Sequence, residues 1–166
     1  RPVYMHLPVM LNPNGKGKIS KRNPPVDAQG NIIPVMVHDY IKAGYISEAV
    51  VNFLANTGWS YGDDIEIFNL EDAIKRFDGS RIVAVSAAFP VDKLKWINAE
   101  YIRTLDVNDL AGRLRAPLEE AGLHVDEAVL KQVAPLVQTR IKTLNEVIGM
   151  AGFFFKVEFS PALPEA

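Results

Sequence analysis

The sequence predicts an α/β amino-terminal part that gives way to a mostly helical remainder. Three observations predict it: a β-favouring apolar run at residues 3–11, a change to apolar spacings of three and four after His38, and a last third in which that spacing is nearly unbroken. The 166 residues are enough to bury a real core, as one domain or two small packed ones. Hydrophobic residues make up 48% and charged residues 23%, with no long apolar run, which describes a soluble globular chain with no membrane span. The chain has no cysteine, which excludes a disulfide framework and a cysteine-ligated zinc and suits a cytoplasmic protein. His6, His38 and His124 are scattered without metal-ligand spacing, so no zinc is expected. The sequence opens at Arg1 with a strand-like run already under way, as a piece of a longer chain would.

Each element follows from local chemistry. VYMHLPVML, residues 3–11, reads as a strand that stops at the turn former Asn12-Pro13-Asn14-Gly15. PPVDAQGN, residues 24–31, is too rich in turn formers for regular structure, and IIPVMV, residues 32–37, is placed to pair back. HDYIKA predicts a short helix closed by Gly44. ISEAVVNFLANTG predicts a second, with Ile46, Val50, Phe53 and Leu54 on one face and Gly58 as a left-handed cap. Asn69 is placed to cap LEDAIKRF, with Asp72 three positions on and Leu70, Ile74 and Phe77 facing inward. A helix from Asp92 carries Leu94, Trp96, Ile97 and Tyr101, with Trp96 read as core, as is Trp59. Residues 107–122 and 126–150 read as two long helices, kinked or restarted at Pro117 and Pro135. Phe153, Phe154 and Phe155 then require a partner surface. The acidic group Asp63, Asp64 and Glu66 reads as a solvated turn, since no further ligands are spaced for a metal.

Against a net charge of −2, the stretch GKGKISKRNPP concentrates Lys16, Lys18, Lys21 and Arg22 within seven positions. Mobile cations in a glycine-flanked loop suit a polyanion whose charge shifts during phosphoryl or nucleotidyl chemistry. A solvated surface loop is the other reading of the same residues. It is not a Walker loop, because Ser20 stands where the second glycine would be needed five residues after Gly15.

KISKR, residues 18–22, resembles the second signature (Lys-Met-Ser-Lys-Ser and variants) of class I aminoacyl-tRNA synthetases. HLPVMLNPNGKGKISKR, HDYIKAGYISEAVVNFLANTGWS and KLKWINAEYIR, in that order and followed by QTRIKTLNEVIGMAGFFF, are similar to the bacterial-type glutamyl-tRNA synthetases along nearly the whole chain. The resemblance implies the end of a Rossmann-like nucleotide-binding domain and a stem-contact region over residues 1–103. The first helices of an anticodon-binding domain would follow over residues 104–166. It implies that Lys21 contacts ATP phosphates in the transition state, that Lys18 assists, that Ser20 hydrogen-bonds within the loop, and that the Ile19 backbone lies near adenine. His6 would face the nucleotide pocket, unless it is simply a satisfied buried histidine. Gly15 and Gly17 would give the loop hinge freedom. ATP with Mg2+, glutamate and tRNA(Glu) are the implied ligands, and a monomer the implied state. Lys93, Lys95, Arg103, Arg140 and Lys142, with Arg113 and Arg115, are the cations placed for tRNA, or else ordinary helix surface.

The sequence also departs from the family pattern. Asn23-Pro24-Pro25 replaces the usual His-Gly, and no Lys-Ser-Pro stands near Ser86. The first signature, His-x-Gly-His, and the glutamate pocket are absent, and the resemblance puts them upstream of Arg1. Two other readings use the same residues: a standalone, non-catalytic RNA-binding module, and a helical interaction domain with a solvated lysine loop.

Overall fold

The computed structural model describes residues 2, 4, 5, 7–27, 30–83, 85, 86 and 88–156. Seven α-helices carry the architecture among these residues: α1 Val37–Lys42, α2 Ser47–Gly58, α3 Leu70–Arg76, α4 Val91–Thr104, α5 Val107–Glu120, α6 Glu127–Val137 and α7 Glu146–Ala151. Short 3-10 turns lie at Gly79–Arg81 and Gly152–Phe155. The expected amino-terminal strand is replaced by isolated pairings. Leu11 pairs antiparallel with Lys18 and parallel with Ala88, and Val26 pairs with Ile32. The Rossmann-like sheet expected there is therefore not formed among the described residues. A β-favouring run becomes a ladder only when neighbouring strands supply its hydrogen bonds.

Helix α4 organises the first half. Leu94, Ile97, Asn98 and Ile102 recur at helical spacing and are all buried against α2, where Ala49 and Phe53 meet them. Trp96, two positions from Leu94 and so about 200° around the helix, is 42% exposed, which overturns its assignment to the core. Trp59 is buried, but in a separate aromatic cluster with Tyr61 and Phe68. Asn69 caps α3 as expected, its Oδ1 accepting the Asp72 N–H at 2.8 Å. The inward face of α3 is corrected: Ala73 is buried, while Leu70, Ile74 and Phe77 are exposed. Spacing identifies a face, but a single alanine against the aromatic cluster decides which way the helix turns. Leu54 is likewise exposed, and Gly58 is the last helical residue before extended Trp59, without the left-handed conformation expected of it.

In the second half α5 packs on α6. Asp106 and Asp126 cap them, each accepting backbone N–H bonds from the first turn. Pro117 and Pro135 lie inside these helices and do not start new ones. The helix expected over 126–150 breaks at Gln138–Asn145, where Ile141 and Thr143 are buried and the polar groups bond to other segments. Phe155 enters the core, while Phe153 and Phe154 remain exposed with their rings 4.2 Å apart. One hydrophobic cluster runs from Ile33 through Phe53, Ile97, Leu114 and Leu130 to Phe155, so both halves share a core. Fully burying one such Leu or Ile contributes about 1.5–3 kcal/mol.

An ion pair also ties the halves. Arg113 of α5 donates to Glu48 of α2 at 2.8 Å and to Asp109 at 3.0 Å. The Arg113 hydrogen bonds hold the Glu48 carboxyl down at about 2, from an ordinary 4.5. A depressed carboxyl pKa adds stability that is present above 4.5 and lost as pH falls through about 2. Solvent screening at this half-exposed pair keeps the contribution near about 0.5–1 kcal/mol. Glu48→Gln should therefore lower the melting temperature by a few degrees at pH 7, and the two melting curves should converge as pH falls from 4.5 toward 2.

Candidate functional site

The basic loop is held by backbone hydrogen bonds, while its cationic side chains project outward. The Ile19 N–H donates to the Met10 carbonyl at 3.0 Å, the Asn12 N–H to the Gly17 carbonyl at 2.9 Å, and Asn12 Nδ2 to the Lys16 carbonyl at 2.9 Å. Gly17 sits at φ +70°, a left-handed conformation that a side chain rarely adopts, and this closes the turn between Leu11 and Lys18. Met10 and Ile19 rest against the shared core, so the loop springs from fixed ground.

Among the described residues, Lys16, Lys18, Lys21 and Arg22 are exposed and none lies within ion-pair distance of a carboxylate. Ser20 is half-buried, and its Oγ accepts the Arg22 N–H at 3.3 Å. His6, the remaining candidate of this group, lies outside the described residues. Among the described residues these four side chains carry no ion pair, so an anion arriving at them would displace no carboxylate.

Beyond Arg22 the start of IIPVMV pairs back as the sequence suggests, making a small hairpin with residues 25–27, which the sequence reads as irregular. Val26 pairs with Ile32, the Asp27 N–H donates to the Asn31 carbonyl at 2.9 Å, and the Ile33 N–H donates to the Pro25 carbonyl at 2.9 Å. Ile33 is buried in the main core, which pins the hairpin beside the start of α4. Two cavities of mixed polar and apolar lining flank it. One, of about 450 Å³, runs from Pro13 past Val26 and Ile33 to Lys93 and Lys95. The other, of about 220 Å³, runs past Lys95 to Tyr45, Thr143 and Glu146. Burial, with Tyr40 and Glu146 nearby, pushes the Tyr45 hydroxyl up to about 12, so it is a neutral hydrogen-bonding group. A third cavity of about 340 Å³, bounded by Leu7, Leu54, Trp59 and Phe77, is lined by apolar and uncharged side chains among the described residues.

The cations set aside for tRNA divide in two. Lys93 pairs with Glu66 at 2.6 Å, Arg103 with Glu100, Arg113 with Glu48 and Asp109, and Arg115 with Glu119 and Glu127. Lys95, Arg140 and Lys142 have no ion pair among the described residues, and Lys95 lines the same cavity as Thr143, next to Lys142. Sequence reasoning includes Asn98 in the KLKWINAEYIR segment but gives it no role. Fully buried, it accepts the Ile46 N–H at 2.9 Å and donates to the Lys142 carbonyl at 2.6 Å. The signal that could have found it is a polar residue at an inward helical position between Ile97 and Ala99.

A cation loop on a core that continues into a helical unit is the layout of a class I synthetase catalytic end joined to an anticodon-binding unit. Residues 1–96 match the family described as tRNA synthetases class I (E and Q), catalytic domain, and residues 107–165 match the anticodon binding domain family. The chain belongs to the E and Q family of class I tRNA synthetases. It is 39% identical to a glutamate–tRNA ligase of Acidothermus cellulolyticus, over 95% of this chain and 31% of that protein. With a glutamate–tRNA ligase of Dehalococcoides mccartyi it is 37% identical, over 98% of this chain and 33% of the other. Among solved structures it is similar to a glutamate tRNA ligase from Elizabethkingia meningosepticum. There the TM-score is 0.75 at 28% identity, covering 96% of this chain and 34% of that one. The chain thus spans about a third of the length of these relatives.

The loop geometry makes a local prediction. Gly17→Ala forces a side chain into the left-handed region at a cost of about 1 kcal/mol. Amide hydrogen exchange at Asn12 and Ile19 should then quicken about fivefold, while the amides of α5 and α6 keep their native rates.

Proposed function

We propose that this chain is the ATP-closing and tRNA-contacting part of a glutamate–tRNA ligase that activates glutamate with ATP and transfers it to tRNA(Glu). The observation that carries the reading is the loop of four unpartnered cations, in a KISKR signature, anchored on the core that also holds the helical unit. The division we adopt, 1–103 for the catalytic end and 104–166 for the anticodon-binding helices, is supported by the gap between the two family matches.

In the first step the glutamate carboxylate attacks the α-phosphorus of ATP and pyrophosphate leaves, so negative charge grows on the bridging and terminal phosphate oxygens. Lys21 on the exposed loop stabilises that charge as it forms, and Lys18 assists from the base of the turn. Ser20 holds the backbone of Arg22, and the Ile19 backbone, fixed to Met10, supports the adenine side. Magnesium enters with ATP, its charge offsetting that of the phosphates, while the loop contributes cations and not metal ligands. The acyl group then passes to the 3′ end of the tRNA. Lys95, Arg140 and Lys142 are the strongest candidates to meet its backbone, because they need not give up an ion pair. Lys93 and Arg103 exchange exposed pairs, worth about 0–1 kcal/mol each, for phosphates. These 166 residues alone lack the first signature and an amino-acid pocket, so they do not catalyse the reaction by themselves.

The test is glutamate-dependent ATP–pyrophosphate exchange, with tRNA(Glu) present, in the full-length polypeptide. Lys21→Ala should lower the exchange rate on the order of 100-fold or more, with the fold intact by circular dichroism. A variant as fast as the unmodified protein would leave the cluster a solvated loop. An inactive parent that still binds tRNA would mark an RNA-binding module without the chemistry.

A further inference from the structure

Residues 42–46, within the catalytic family match, and residues 98–105, in the stretch between the two matches, meet residues of the anticodon-binding match along a seam of directed hydrogen bonds. At its centre, Asn98 of α4 ties the Ile46 N–H, at the start of α2, to the Lys142 carbonyl. Around it, the Leu144 N–H donates to the Gly44 carbonyl at 2.8 Å and Asn145 Nδ2 to the Lys42 carbonyl at 2.7 Å. Gln138 Nε2 reaches the carbonyls of Ile102 and Leu105 at the end of α4, at 3.1 and 2.8 Å. Gly44 stands at φ +78°, and a Cβ there would come within 2.7 Å of the Asn145 nitrogen, so the backbones are as close as they can be. The segment held this way, residues 138–145, is the one that carries Arg140 and Lys142.

Resting on the synthetase reading above, we propose that Asn98 is a positioning residue for RNA. By bridging Ile46 and Lys142, it holds the cations of residues 138–145 in register with Lys95 and with the loop that carries Lys21. The register is continuous because Ile46, Ile97 and the loop anchors Met10 and Ile19 belong to one packed cluster. Phosphates of a single RNA are spaced rigidly, so several cations engage together only when their separation is fixed beforehand. Leu144 and Asn145 repeat the attachment at the exposed edge, and Asn98 sets it in the interior, where an amide with both ends satisfied defines one geometry.

The experiment uses the full-length polypeptide with Asn98→Asp and Asn145→Ala. Asn98→Asp keeps an acceptor for Ile46 and removes the donor to Lys142. Asn145→Ala removes only the bond to Lys42 at the solvent edge, and it carries the test if the buried change prevents folding. Filter binding of tRNA(Glu) over a salt series and calorimetric titration of ATP are the readouts. Asn98→Asp should weaken tRNA binding about tenfold and Asn145→Ala about threefold, with ATP affinity unchanged. The slope of log affinity against log salt should also become shallower, by about 0.7–0.9 for each phosphate no longer engaged. A purely structural role lowers the melting temperature but moves neither the salt slope nor the ratio of tRNA to ATP affinity. An unchanged tRNA affinity and slope in the folded variants overturns the proposal, as does a parallel loss of ATP affinity. Glutamylation by the unmodified polypeptide is scored separately. If it binds tRNA without charging it, the synthetase reading fails while the binding comparison still decides the role of Asn98; if it binds no tRNA, both fail.

Discussion

A buried amide tolerates neither a donor nor an acceptor left unpaired, and the position of Asn98 inside the core therefore dictates where two distant stretches of backbone run. Ile46 must begin α2 beside α4, and Lys142 must leave the end of α6 in a non-helical path that presents its carbonyl. Apolar packing alone would hold α2, α4, α5 and α6 together, but it is non-directional and tolerates sliding. The amide removes that freedom, and Gln138 does the same at the carboxyl end of α4.

Around that junction the molecule sorts its charges. Most arginines of the helical surface are occupied with neighbouring carboxylates, including Arg113 and Arg115, whereas the cations of residues 16–22 and those at 95, 140 and 142 have no ion pair among the described residues. With a net charge of only −2, the chain as a whole exerts no strong field on a polyanion. Attraction must come from these local groups, and their lack of internal partners means that little is given up when a phosphate arrives.

Much of this was legible in the sequence because it is local. Asn69, three residues before Asp72, acts over a few residues and caps α3 where its chemistry places it. What was illegible depends on partners far along the chain. Trp96 and Leu94 look equally apolar, and only the packing of α4 on α2 turns one out and the other in. The break after Val137 lies in a sequence with good helical spacing, but the N–H groups of Lys142 and Leu144, which a continuous helix would turn back four residues, go instead to the Glu146 carboxylate and to the Gly44 carbonyl far along the chain. The amino-terminal run has strand composition without described strand neighbours to pair with, so composition overstated the sheet. In the candidate site, the cation loop, the returning IIPVMV run and the segment holding Asn98 were visible in the sequence, while the partners of Ile33 and Asn98 required the fold.

That hairpin limits how far the cation loop can travel. Ile19 is fixed to Met10 on one side, and Pro25 is bonded to buried Ile33 on the other, so the arc that carries Lys21 and Arg22 contains only residues 20–24. Five residues span at most about 16–18 Å when fully extended, and Pro24 within the arc, restricted in turn by Pro25 after it, removes part of that play. Such an arc works less like a swinging lid than like a tether of set length. It sweeps a small volume above its own anchors, and any phosphate it serves must be delivered into that volume by the rest of the protein.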